Sequence, residues 1–157
     1  MKKIEKAVIL GLIMAILFNV ASFGEKSREL YSNVLRLHIL ANSDSPEDQA
    51  LKLKIRDNIL SEGYFIFDGA ADIDEAKNKV KNNINAIERI AAKTIVDCGY
   101  SYSVSAALEK AYFDTRYYDS FTLPAGEYEA LRIVIGKGEG HNWWCVMFPP
   151  LCVSSAS

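Results

Sequence analysis

Reactive side chains are sparse in this sequence, with two histidines and three cysteines among 157 residues. Cys145 follows His141 by four positions. A thiol activated by an imidazole is the nucleophile of cysteine hydrolases and transpeptidases, here with Cys145 attacking and His38 or His141 as base. The surroundings oppose that chemistry. Cys145 lies inside Trp143-Trp144-Cys145-Val146-Met147-Phe148, an apolar run in which desolvation raises a thiol pKa instead of lowering it. A serine nucleophile would want a Gly-x-Ser-x-Gly elbow, which the sequence lacks. It also lacks H-E-x-x-H and paired C-x-x-C spacing, so neither a metal nor a cofactor is expected. Gly136, Gly138 and Gly140 follow a G-x-G-x-G pattern with no Lys-Ser or Lys-Thr and no helix after it, and read as a flexible hairpin tip, not a phosphate cradle.

The segment Asn142 to Cys152 holds both tryptophans, two cysteines and two prolines. Adjacent residues of a strand point to opposite faces, so Trp143 and Trp144 must part; one of them is free to anchor a partner unless both faces of the sheet are covered. Between Cys145 and Cys152 the Pro149-Pro150 pair forces a bend. In an exported protein these two cysteines can close a small disulfide loop; three free thiols is the equal alternative. Cys98, at a helix end, reads as a small buried hydrophobe.

The elements that must carry these residues follow from periodicity. Lys2, Lys3 and Lys6 precede an uncharged stretch from Ala7 to Val20, the pattern of a secretory signal, so residues 1–24 are expected to be a signal peptide or an N-terminal membrane anchor. Residues 25–33 read as a polar tether. Leu35, Leu37 and Ile39 alternate with Arg36, His38 and Leu40 in a first strand. Ser45 as N-cap, Pro46 as first helical residue and Asp48 as the reciprocal acid open a helix with Leu51, Ile55 and Ile59 on one face, stopped by Gly63. Asp72 and Glu75 open a second, long amphipathic helix through Ile95, ended by Gly99. From Tyr100 the period becomes two, and the rest reads as strands, the last pair, 129–135 and 142–148, as an antiparallel hairpin. The expected fold is α+β, with two amphipathic helices on one face of a mainly antiparallel sheet of four to five strands, in the order β-α-α-β-β-β-β.

Charge limits the partners. The chain carries 18 Lys+Arg against 20 Asp+Glu. Without residues 1–6, which hold three Lys and one Glu, 15 basic face 19 acidic residues. That balance gives no basic footprint for a nucleic-acid backbone and no strong electrostatic hold on anionic lipid. Contact with a membrane is expected only through an uncleaved N-terminal segment.

Two segments carry a family resemblance. One runs Leu35-Arg36-Leu37-His38-Ile39-Leu40-Ala41-Asn42-Ser43-Asp44-Ser45-Pro46-Glu47-Asp48-Gln49-Ala50-Leu51-Lys52 and on to Arg56-Asp57; the other runs from Leu123-Pro124-Ala125-Gly126 through Gly140 to Cys152. The chain resembles the stage II sporulation protein R family of endospore-forming bacteria over almost all of residues 34–157, and the Asn-Trp-Trp-Cys-Val-x-Phe-Pro-Pro-Leu-Cys run is highly specific. The resemblance implies a non-enzymatic signal exported from the forespore into the space between forespore and mother cell. There it would activate a membrane-embedded aspartic protease, stage II sporulation protein G-A, that processes pro-sigma E. It also implies a chain continuing past the Pro-Pro-Leu-Cys segment, whereas this one ends five residues after Cys152. Candidate contacts for the protease are Arg36, His38, Asn42, Asp44, Trp143 and Trp144. The competing function is an exported cysteine-dependent cell-wall hydrolase or transpeptidase, which requires Cys145 in reach of a histidine in an open cleft.

Overall fold

The structure, a computed structural model, describes residues 2–62, 69–118 and 121–149. Its elements are α1 (Lys2–Ser32), β1 (Leu35–Leu40), α2 (Pro46–Glu62), α3 (Ile73–Asn82), α4 (Ile84–Asp97), β2 (Val104–Phe113), β3 (Arg116–Tyr117), β4 (Thr122–Leu123), β5 (Gly126–Ile135) and β6 (Asn142–Phe148). Four strands form one sheet in the order β2-β5-β1-β6, and β3 pairs with β4 in a small second sheet. β1 runs parallel to β5, while β1–β6 and β2–β5 are antiparallel. The class is α+β, with a mainly antiparallel sheet and α2, α3 and α4 on one face.

That face is the main core. Leu35, Leu37 and Ile39 of β1, Leu131, Ile133 and Ile135 of β5, and Cys145 and Met147 of β6 meet Leu51, Ile55 and Ile59 of α2, Ala76 and Val80 of α3, and Ile87, Ala91 and Ile95 of α4. At about 1.5–3 kcal/mol for each fully buried aliphatic side chain, this layer is the principal source of stability.

The expected β5–β6 hairpin does not form, because β1 lies between the two strands. Leu35 to Ile39 are all buried, and a strand apolar enough to be covered on both faces takes a central place in a sheet. β5 and β6 are therefore two strand spacings apart, about 10 Å, too far for a tight turn. The segment 136–141 instead crosses the end of β1, with Gly140 N–H donating to Ala41 O at 2.9 Å and Glu139 N–H to Asn42 O at 3.3 Å. The glycines are close-approach positions, not a flexible tip. A Cβ on Gly140 would collide with the Ser43 carbonyl, and Gly136, at φ +57, would meet the Asn42 side chain.

The long helix expected from 73 to 95 is broken at Asn83 (φ −115, ψ 13). Its amide Nδ2 donates to Lys79 O at 2.8 Å and its own carbonyl restarts the ladder by accepting from Ala86 and Ile87 N–H. Asparagine side chains compete with the helix for backbone partners in this way. The stop at Gly99 (φ +83) is as expected, with Tyr100 N–H returning to Ile95 O. At the start of α2, Ser45 Oγ accepts from Asp48 N–H at 3.1 Å, but Asp48 does not reciprocate; its carboxylate accepts from Asn42 and Ser43 instead. Gly63 lies outside the described residues.

The polar tether is helical, since α1 continues to Ser32, and its last turn is docked. Tyr31 meets the Tyr128 ring edge-on at 5.1 Å between centroids and donates to Ala125 O at 3.0 Å. Residues 3–18 of α1 are exposed. Among the described residues no helix is long and apolar enough to cross a membrane.

Candidate functional site

The period of β1 sends Arg36 and His38 away from the helices, to the second face of the sheet. There Val34, Phe113, Tyr118, Leu123, Tyr128, Ala130 and Val146 form a smaller core, with Tyr31, Ala111, Phe121 and Trp144 packed against it. Arg36 is fully buried. Its guanidinium carbon sits 3.9 Å from the Phe113 ring centroid and 4.9 Å from that of Tyr128, and its Nη2 donates to Tyr118 Oη at 3.0 Å. Among the described residues no carboxylate pairs with it, and its Nε and Nη1 have no hydrogen-bond partner. Burial pulls the Arg36 pKa below its ordinary value, Tyr118 offsets this in part, and Arg116 adds to it. The guanidinium stays protonated nonetheless, its usual pKa being above 12. Burial likewise pushes the Tyr128 phenol up to about 12.

His38 stacks on Trp144, with ring centroids 3.8 Å apart and planes 16° from parallel, and meets the edge of Phe113 at 6.0 Å. Burial drives its pKa down to about 4; the Asn142 side chain opposes this in part, and Arg132 and Arg36 add smaller effects in the same direction as burial. Neither ring nitrogen makes a hydrogen bond of acceptable geometry among the described residues. The imidazole is therefore neutral near pH 7, and it packs as an aromatic ring. Arg116, on β3, stands 5.6 Å from the Trp144 ring, and its Nε is also buried without a partner.

Asn42 and Asp44 belong to a separate place, the junction between the β1–α2 loop and the β5–β6 crossover. Asn42 Nδ2 and Ser43 Oγ donate to Asp48 Oδ2, and Asn42 Oδ1 accepts from Lys137 N–H at 3.1 Å. Asp44 accepts from the backbone N–H of His141 and meets its ring Nδ1. Lys52, 4 % exposed, donates to His141 O at 2.9 Å. Burial opposes the charge of Asp48, but hydrogen bonds from Ser43, Asn42 and Tyr102 outweigh it and hold the carboxyl below its usual range. The hydrogen bond from His141 does the same for Asp44. These side chains clasp two loops together.

Trp143 and Trp144 do part, as strand geometry requires. Trp143 packs toward the helices, 4.2 Å under the Arg56 guanidinium; both indoles are half-buried. Cys145 is fully buried on the helix side, opposite Leu37 in the register, whereas His38 occupies the other face and His141 is engaged by Asp44. The cysteine–histidine constellation is thus not assembled in an open cleft. Cys152 lies outside the described residues, so the choice between a Cys145–Cys152 disulfide and free thiols falls outside them too.

Phe113, Tyr118, Tyr128 and Arg116 went unnoticed as site residues in the sequence. The one local signal was Arg36, a charge in the middle of an otherwise apolar strand; its aromatic partners come from β2, β5 and the loop after β3, at sequence separations that no motif spans.

The family model for stage II sporulation protein R (spore_II_R) matches residues 31–157. The chain belongs to the stage II sporulation protein R family. The match begins at Tyr31, the residue that docks the end of α1 on β5. The chain is also 37% identical over 159 residues to stage II sporulation protein R of Bacillus subtilis (strain 168), covering 94% of this chain and 71% of that protein. No solved structure matches it. Membership of this family makes it a sporulation protein by the name its relatives carry.

Proposed function

We propose that this protein is an exported sporulation signal, which leaves the forespore and activates the membrane-embedded aspartic protease, stage II sporulation protein G-A, that processes pro-sigma E in the mother cell. It acts in the space between the two membranes, on the extracytoplasmic side of the protease, by binding and not by chemistry. A binding partner that prefers the active form shifts the equilibrium toward it in proportion to that preference. The family match over residues 31–157 is what carries this reading. The burial of Cys145 on the face opposite His38 supports it by removing the geometric basis of the competing cysteine hydrolase or transpeptidase.

The test is reconstitution of the protease and its pro-sigma substrate in membranes, with and without this protein added to the extracytoplasmic side. Cleavage is expected to rise on addition. An unchanged cleavage rate with folded protein would refute the proposal.

A further inference from the structure

Five of the six buried side-chain polar atoms without partners among the described residues lie in one place; the sixth, Trp143 Nε1, is on the helix face. Arg36 Nε and Nη1, His38 Nδ1 and Nε2 and Arg116 Nε are all buried and unpartnered among the described residues, and all surround the Phe113–Trp144 ring pair, whose centroids are 4.7 Å apart. Folded proteins satisfy nearly all buried polar groups, so such a concentration calls for a missing acceptor. We propose that the aromatic face of the sheet holds a small oxyanion, of the carboxylate or phosphate class, between the guanidiniums of Arg36 and Arg116. This goes beyond the signalling proposal and does not depend on it.

The chemistry of the orphaned atoms selects the ligand. Guanidinium N–H groups only donate, and they match the paired oxygens of carboxylates and phosphates. Two like charges also sit in one aromatic cluster, both close enough to influence the Tyr118 phenol, and no described acid pairs with Arg36 or Arg116. An anion would relieve both the unmet donors and the mutual repulsion. Stacking over the aromatic rings positions the guanidiniums but leaves their in-plane donors free. A neutral His38 adds one N–H that can face the same oxygen. Access is from the β3–β4 side. Arg116 and Trp144 are only half-buried there, and the covering sheet is held by two residue pairs, Arg116 with Leu123 and Tyr117 with Thr122.

The test uses the full chain labelled with 15N and follows the arginine Nε–H resonances, assigned by Arg→Lys variants, during titration with acetate and separately with phosphate against chloride at constant ionic strength. The Arg36 and Arg116 resonances are expected to shift together and saturate, while those of exposed Arg89 and of Arg56, on the helix side of the sheet, stay still. Arg116→Gln, at the rim, should fold and lower the affinity read on Arg36 by about tenfold or more. Tighter binding of acetate would point to a carboxylate as the natural ligand, tighter binding of phosphate to a phosphoryl group, and either supports the site. Absence of saturable shifts, or equal movement of all four arginines, would overturn it.

Discussion

The neutral, stacked His38 makes stability depend on pH in a window where few other groups titrate. In the unfolded chain an imidazole has its ordinary pKa of 6.5; in the fold it is lowered to about 4, chiefly by burial. The unfolded state therefore binds the proton first on acidification. Stability is at its full value above pH 6.5 and falls as pH drops from 6.5 to 4. Linkage puts the loss at about 2 kcal/mol by pH 5 and about 3 kcal/mol by pH 4. The charged groups facing the ring, Arg36 and Arg132, are cations, so none of them offsets the effect. Asp44, Asp48 and Glu75, whose pKa values are lowered in the fold, contribute stability that is lost progressively as pH falls from their unfolded values, about 4, through their lower folded values, mostly below the His38 window. The assay is urea unfolding at pH 7.5, 6, 5 and 4.5, comparing the wild type with His38→Phe, which keeps a ring on Trp144 but cannot take up a proton. The wild-type midpoint should fall by roughly 1–2 M more than that of the variant between pH 7.5 and 5, given the usual urea dependence. Parallel curves for the two proteins would refute the burial of a neutral imidazole.

Other consequences are as direct. Gly140→Ala places a Cβ against the Ser43 carbonyl, which belongs to the backbone and cannot swing aside, and should destabilise the fold by about 1–3 kcal/mol in thermal or urea unfolding. Asp48→Ala removes the acceptor of Asn42 Nδ2 and Ser43 Oγ and should cost about 1–3 kcal/mol, with amide exchange accelerated in the β1–α2 loop and, through the loosened Asn42, at Lys137 of the crossover. Native-state alkylation should modify the half-exposed Cys98 well before the fully buried Cys145; labelling of Cys145 first, followed by peptide mass analysis, would contradict its place in the core. Cys145→Ala should also leave activation of the protease intact in the reconstituted assay, where a cysteine enzyme would lose all activity.

Much of the local structure was legible in the sequence because its causes are local. The alternation in β1, the Ser45 and Asp72 caps, the 3.6-residue period of α2 and α4 and the stop at Gly99 each depend on a few neighbouring residues. The parting of Trp143 and Trp144 needed only the two-residue repeat of a strand. Burial of Cys145 followed from the apolar run around it, and the family from the Asn142 to Cys152 segment. Tertiary structure alone decided the strand order. An antiparallel hairpin and a crossover past β1 use the same alternating sequence, and the choice rests on which strand is covered on both faces, a property of the assembled sheet. The same non-local event turned Asn42 and Asp44 from free loop residues into a clasp for the β5–β6 crossover. It also turned Arg36 and His38 from one face of an amphipathic strand into buried groups whose Arg36 Nε and Nη1 and both imidazole nitrogens lack partners among the described residues, because the rings that enclose them come from β2, β5, the loop after β3 and β6, and only the fold brings those together.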